Sequence, residues 1–491
     1  MNYWKIFLLP FKGMFALGVF LFKQRTLNRT EGANFATPSE YKDRMNASHK
    51  GLLLDGEALK LGEKESFQNV CVIARVGAGK TSRYIIPNVL ERSKHLCSLI
   101  INDPKGEVYE ATSHQLASRG FRLLVINPDD PDHSHTFNPL EEARDEIELD
   151  QIAEILMKAG RGANSKGSDD FWMSGAQRFV SVFLGCLKNA SHENPNWNNL
   201  ANLYYLLQNF GEDGSRLDRF MAHYSVDPHH PQDARLWNEW QGVLTGNKEG
   251  VQSFILNALT ALKPAGKSNI ARITARSSFQ LEDIRHTKTA IFFITPPQHA
   301  EYYGFLTSLF FRSVFNASMR TMPHRHTLPL YVLYDEFGHS TIPNFVSTAN
   351  TIRGYKVSLS IVLQSIAQLN TRYGHDYAQA LQGGFHTLLT YAGSDPQTTA
   401  FFEKIIGKTR ITQRKDILDP TEQYREQNLL NANEIRTMKH HEILIVSGNQ
   451  NPVLIPSKGF FQVGWMKRAT QKPPVPVETR QGQKVEYVPL N

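Results

Sequence analysis

The sequence predicts an α/β fold: a mainly parallel sheet built around a glycine-bearing turn and interrupted by an all-α block. Three observations carry that prediction. Short apolar runs at 68–74, 98–102 and 121–126 each end in turn chemistry, the alternation expected of βαβ units. Residues 145–275 then read in helical periods without a convincing strand. Apolar runs resume at 289–294, 328–334, 357–363, 387–391, 442–446 and 452–455, which makes the helical block an insertion between strands.

The first run feeds the segment at 74–82. Gly77 and Gly79 let backbone N–H groups converge on an anion, Lys80 can reach outer phosphates, and the Thr81 hydroxyl can ligate Mg²⁺. A helix begun at Thr81 aims its positive end at the same anion. Arg75, Val76, Gly77, Ala78, Gly79, Lys80, Thr81 and Ser82 are therefore the candidate cradle for ATP. Ala74 stands where such loops usually carry their first glycine.

The run at 328–334 ends in Asp335 and Glu336. An unbroken apolar run suits a strand buried on both faces, and its C-terminal end is where an open α/β sheet places ligands. Asp335 is expected to hold Mg²⁺ and Glu336 to orient or deprotonate the attacking water. Gln364 follows the next run and can sense the γ-phosphate or the water, or serve as an ordinary turn residue. Arg353 lies between these two runs. It is either a surface arginine or, if subunits form a ring, a finger into a neighbour's nucleotide. Asp103-Pro104-Lys105 reads as a turn with a salt-bridging lysine, or as a phosphate-positioning loop.

The helical block opens with a helix at 147–159 and another at 169–189. Ser168 is a candidate N-cap of the second, with Phe171, Trp172, Ala176, Phe179, Val180 and Phe183 on one side. Further helical patterns cover 200–209, 216–223, 232–244 and 249–262.

With 491 residues and a net charge of +7, the chain has room for several domains, and nucleic-acid binding is permitted only if the positive residues cluster. Its three cysteines have no metal spacing and do not make a disulfide framework, which fits a reducing compartment. The histidine pairs lack ligand motifs, so no metal beyond Mg²⁺ is expected. Residues 6–22 are nearly all apolar and flanked by basic residues, but include Pro10 and Lys12. They read as a membrane anchor with the body on the cytoplasmic side, an interfacial helix, or a soluble packing helix.

The loop at 74–82, Asp103-Pro104-Lys105-Gly106-Glu107, Phe137-Asn138-Pro139-Leu140, Phe171-Trp172, Asp335-Glu336-Phe337-Gly338, the stretch 363–369 with Tyr373-Gly374, and residues 430–436 occur in this order. Together they resemble the type IV coupling proteins, the TraG-like ATPases of conjugation and type IV secretion. The resemblance implies a RecA-like nucleotide-binding domain, an inserted all-α domain, a membrane anchor at the inner membrane, and homo-hexamers. The implied partners are single-stranded DNA, its relaxase and other secreted protein substrates, and the channel components. It also implies ATP hydrolysis with Mg²⁺, with Lys80 and Thr81 on phosphate and metal, Asp335 and Glu336 on metal and water, Gln364 as sensor, and Arg353 as an inter-subunit finger.

On this reading residues 1–25 are the anchor or interfacial helix and 26–67 a linker leading into the core. Residues 68–144 and 276–465 form the two parts of the RecA-like domain, 145–275 the all-α domain, and 466–491 a disordered tail. The competing functions are a double-stranded DNA pump, for which the tail is too short to form a winged-helix reader, and a nucleotide-binding adaptor for protein effectors, against which Glu336 argues.

Overall fold

The computed structural model describes residues 30–159, 169–230, 232–245, 247–374, 383–414, 422–480 and 484–490. The apolar segment at 6–22 and Ser168 lie outside them. Among the described residues no helix is long and apolar enough to cross a membrane.

Three short strands come first: β1 (Thr30–Gly32), β2 (Met45–Asn46) and β3 (Lys60–Leu61). The main sheet takes β4 (Val70–Ile73), β5 (Ser98–Asn102), β6 (Arg122–Ile126), β7 (Thr289–Phe293), β8 (Leu330–Tyr334), β9 (Val357–Leu363) and β10 (Thr387–Tyr391). After β11 (Lys408–Arg414) and β12 (Glu422–Asn428) it closes with β13 (Glu442–Ser447) and β14 (Val453–Pro456). The spatial order is β14-β13-β10-β4-β9-β8-β5-β7-β6. From β10 to β6 every pairing is parallel, whereas β13 and β14 extend the edge antiparallel. Strands β4, β5, β8 and β9 are buried along their whole length, as the unbroken Val, Ile and Leu runs require when both faces are covered.

Between β6 and β7 the chain makes the helices Glu146–Ala159, Asp169–Ala190, Leu200–Gln208, Asp218–Tyr224, Arg235–Leu244, Lys248–Leu262 and Ser268–Ile273. Phe179, Phe183, Phe210 and Trp240 pack edge-on or tilted in their core. The apolar side expected of the second helix starts later than its letters suggest. Ala176, Phe179, Val180 and Phe183 are fully buried, but Phe171 is 67% and Trp172 38% exposed. This first turn reaches past the core, where both rings pack on Phe254 instead.

The stretch entering the core and the expected tail are both built into the body. At the expected entry to the core, Leu52, Leu53 and Leu54 are buried, and Asn88 grips Leu53 by both backbone groups at 2.7 and 2.8 Å. Strand β1 pairs with β11, and β11 with β12, in a small separate antiparallel sheet. Rather than a disordered tail, residues after 463 form a helix, Gly464–Thr470, whose Met466 is buried. An extended strap follows it. Val475 bonds Ser113 Oγ and Tyr109 Oη, Arg480 N–H donates to the Asp132 carbonyl, and Val488 is buried beside the helical block. Polar composition hides this order because side chains elsewhere in the chain supply the hydrogen bonds.

Candidate functional site

The ends of four parallel strands build one polar site. β4 delivers the turn at 74–80, in which Arg75, Val76 and Gly77 are exposed and Ala78 and Lys80 are buried. Gly77 and Gly79 have φ of 81° and 84°, a region that glycine enters without steric cost. At Gly77 nothing lies within 4 Å of where a Cβ would stand, so the backbone is open to a ligand. The following turn, Thr81–Ile85, is π-helical, with Ile86 N–H bonded to the Thr81 carbonyl, a widening often found at functional sites. Ala74 is buried, its N–H bonds the Leu363 carbonyl at 3.0 Å, and its φ is not positive. The missing glycine therefore costs the turn nothing, because Ala74, one residue past β4, still makes a ladder-like bond to β9 without a positive φ.

Lys80 Nζ donates to the Ala74 carbonyl at 2.9 Å and lies 3.9 Å from Glu336 Oε1. Burial lowers its pKa, Glu336 and Asp335 oppose that shift, and the Lys105 charge adds to it. Thr81 Oγ1 donates to Asp335 Oδ2 at 3.0 Å. Asp335 is buried, and its carboxyl is pushed up to about 6 by desolvation first and the neighbouring Glu336 second, with Thr81 and Lys80 pulling the other way. Glu336 accepts from Gln364 Nε2 at 2.7 Å. The order of the strands explains this meeting: β9 lies between β4 and β8, so its C-terminal Gln364 sits between the phosphate loop and the Asp-Glu pair.

A hydroxyl and a carboxylate facing an ammonium are hard oxygen donors of the kind Mg²⁺ takes while keeping most of its water. Thr81 and Asp335 fit that ion. Each of the eight residues from Arg75 to Ser82 lies on the loop or its first turn, so the expected cradle is contiguous in space.

Arg353 is not part of this assembly within one chain. It is exposed, just before β9 begins, at the opposite end of that strand from Gln364. The strand between them spans about 20 Å. Arg353 instead lines a cleft of about 360 Å³ with Gln68, Asn69, Asn350 and His386.

Two more residues belong to the site: Asn102, which the motifs did not single out, and Asp103, whose expected alternatives were a turn or a phosphate-positioning loop. Asn102, at the end of β5, donates through Nδ2 to the Asp335 carbonyl at 2.7 Å. Asp103, next in sequence, is buried and accepts the Tyr109 N–H at 2.8 Å. Desolvation pushes its carboxyl up to about 7, and Asp335 contributes to the rise. The available signal was position: both stand at the C-terminal end of a sheet strand, where polar letters after an apolar run face the ligand side.

Comparison with known proteins shows the family and the fold of the chain. Residues 34–484 match the family described as Type IV secretory system Conjugative DNA transfer. The chain is 24% identical over 441 residues to Protein VirD4 of Rhizobium rhizogenes, covering 85% of this chain and 62% of that protein. It thus spans less than two thirds of the relative's length. Its fold is similar to that of the bacterial conjugative coupling protein TrwBdeltaN70, with a TM-score of 0.67 at 14% identity, covering 88% of this chain and 93% of the other. A structure of TrwB in complex with ADP and Mg²⁺ is similar to the same extent, with a TM-score of 0.65 at 14% identity over 88% of this chain and 94% of the other. These likenesses establish a RecA-like α/β fold.

Proposed function

The chain belongs to the type IV secretory system conjugative DNA transfer family, and on that basis we propose that it is an ATP-hydrolysing coupling protein. Its work is to recruit single-stranded DNA with an attached relaxase, and further protein substrates, to a type IV secretion channel. It acts as a homo-hexamer held at the inner membrane with its body on the cytoplasmic side. The observation that carries the reading is the convergence of Lys80, Thr81, Asp335, Glu336 and Gln364 at the ends of β4, β8 and β9.

Each side chain has a task that its surroundings suit. The backbone N–H groups of the open turn and Lys80 hold the outer phosphates. Lys80 exchanges its bond to the Ala74 carbonyl for a phosphate oxygen. Thr81 and Asp335 would hold Mg²⁺, which when bound neutralises charge on the bridging phosphates. Glu336 orients the attacking water and accepts its proton. Gln364, whose amide donates to Glu336, stands beside the position of the attacking water and senses the γ-phosphate or that water. Arg353 acts from a neighbouring subunit, since its own chain keeps it at the far end of β9.

The test is ATP hydrolysis by the purified chain with and without single-stranded DNA, beside DNA transfer in cells carrying Glu336→Gln. The expected result is DNA-stimulated turnover that Lys80→Ala abolishes, and transfer lost in Glu336→Gln. Nucleotide binding without turnover under any nucleic acid, or undiminished transfer with stable Glu336→Gln protein, would overturn the motor reading.

A further inference from the structure

A buried arginine without a counter-charge stands under the turn that carries Arg353. Arg285 closes the 3₁₀ turn Leu281–Arg285, just before β7, and is only 7% exposed. Its Nη2 donates to the Tyr355 carbonyl at 2.6 Å, while Nε and Nη1 are buried without a hydrogen-bond partner among the described residues. Burial alone lowers its pKa, to about 10. A guanidinium held in this way costs the fold more than an apolar side chain of its length would. Its one bond is therefore where its use lies.

That bond ends on a bend. Tyr355 closes the 3₁₀ turn Arg353–Tyr355, and the gripped peptide leads into Lys356, whose φ and ψ of 54° and 40° are left-handed. Two further bonds hold the same bend. Leu330 N–H donates to the Lys356 carbonyl at 3.0 Å, and Lys356 Nζ donates to the His324 carbonyl at 3.0 Å. Arg285 is anchored in turn, since the Leu328 N–H donates to its carbonyl at 2.9 Å. The Arg353 side chain is exposed and makes no hydrogen bond or ion pair among the described residues. Its direction is set by the turn beneath it.

We infer that Arg285 is a positioning residue for Arg353: by gripping the Tyr355 carbonyl it fixes the turn from which Arg353 reaches a neighbouring subunit's nucleotide. This role rests on the inter-subunit reading of Arg353. Arg285 is buried under its own chain and touches no nucleotide itself. A finger acts on charge in the transition state, so a displacement of about 1 Å costs rate and spares nucleotide binding.

The test measures DNA-stimulated ATP turnover by Arg285→Met in the assembled full chain, alone and in mixtures. Alone, kcat should fall about tenfold to a hundredfold with KM for ATP nearly unchanged, and Arg285→Lys, which keeps a charged donor for the carbonyl, should restore most of it. Mixing Arg285→Met with Lys80→Ala, which supplies well-placed fingers, should recover activity. Mixing it with Arg353→Ala, which supplies none, should not. In the Arg353→Ala background Arg285→Met should cause no further loss. Should Arg285→Met fail to fold, Lys356→Gly stands in for it. That variant tolerates the positive φ but loses the tether to His324 and frees the turn, and should give the same pattern. Wild-type turnover, equal recovery with Lys80→Ala and Arg353→Ala, or a full further loss in the Arg353→Ala background overturns the role of Arg285. If Lys80→Ala mixed with Arg353→Ala recovers nothing, the inter-subunit reading itself falls and this role falls with it; if that pair recovers and the Arg285 variant does not follow the pattern, only the role of Arg285 falls.

Discussion

Asn102 and Asp335 are joined end to end across neighbouring strands, the Asn102 side-chain amide donating to the Asp335 backbone carbonyl at 2.7 Å. The peptide so gripped is the one that leads into Glu336, whose φ and ψ of 54° and 44° are left-handed. For a residue with a Cβ that conformation costs about 1–2 kcal/mol. Asp335 Oδ1 accepts the Glu336 N–H at 2.9 Å, so the kink is held from both sides. Its result is the direction of the Glu336 carboxylate, toward Gln364 and Lys80.

Asn102→Ala should therefore act on turnover rather than on affinity. A carboxylate displaced by about 1 Å from its water can lose about a hundredfold in rate, while the phosphate cradle around Lys80 is untouched. Steady-state ATPase kinetics should give a kcat reduced about tenfold to a hundredfold and a KM for ATP nearly unchanged. A rise in KM alone would place Asn102 in binding and refute the positioning role.

The buried carboxylates set a pH dependence of stability. Asp103 has a folded-state pKa pushed up to about 7 from an ordinary value of 3.8. The folded chain then holds more protons than the unfolded chain between about pH 4 and 7, so stability falls as pH rises through that window. The groups facing Asp103 are the Tyr109 and Val108 N–H donors, which oppose the shift, and Asp335 and Glu107, which add to it. Without nucleotide or Mg²⁺, the melting temperature should fall from pH 5 to pH 8, and Asp103→Asn should flatten that slope while raising stability at pH 8. A wild-type melting temperature that rises over this range would contradict the assignment.

The motifs at Lys80-Thr81, Asp335-Glu336 and Gln364 were legible because their chemistry demands particular side chains at the ends of apolar runs, and the strand order then brings them together. Asn102 was not legible as a site residue, since an asparagine closing an apolar run also reads as an ordinary turn. Strands β11 and β12 were missed for a different reason. Lys-Thr-Arg-Ile-Thr-Gln-Arg and Glu-Gln-Tyr-Arg-Glu-Gln-Asn carry no apolar alternation, and only main-chain pairing with each other and with β1 defines them. The strap is fixed by Tyr109, Ser113 and Asn202, partners far away in sequence that no local pattern announces.

Ala74 bears on how much of the phosphate-loop pattern is backbone necessity. Its N–H is paired with Leu363 and its φ is ordinary, so restoring glycine relieves no strain. Ala74→Gly should leave nucleotide affinity, measured by calorimetry, within experimental error of wild type. It should also lower stability by about 0.5–1 kcal/mol through added unfolded-state freedom. Tighter binding by the glycine variant would mean that the alanine constrains the loop.

Arg353 separates what one chain does from what an assembly does. Within a chain it stands at the opposite end of β9 from Gln364 and faces a cleft with Asn69 and His386. It therefore has no route to its own Lys80 site. If neighbours in a ring supply each other's arginine, Arg353→Ala should leave nucleotide binding by the dilute chain unchanged and lower DNA-stimulated turnover of the assembled form by about a thousandfold. Mixing provides the sharper measurement. Arg353→Ala supplies an intact Lys80 site and Lys80→Ala an intact finger, so a mixture of the two should recover part of the activity that neither has alone. A mixture as inactive as its components, with co-assembly verified by light scattering, would show that Arg353 does not act across the subunit boundary.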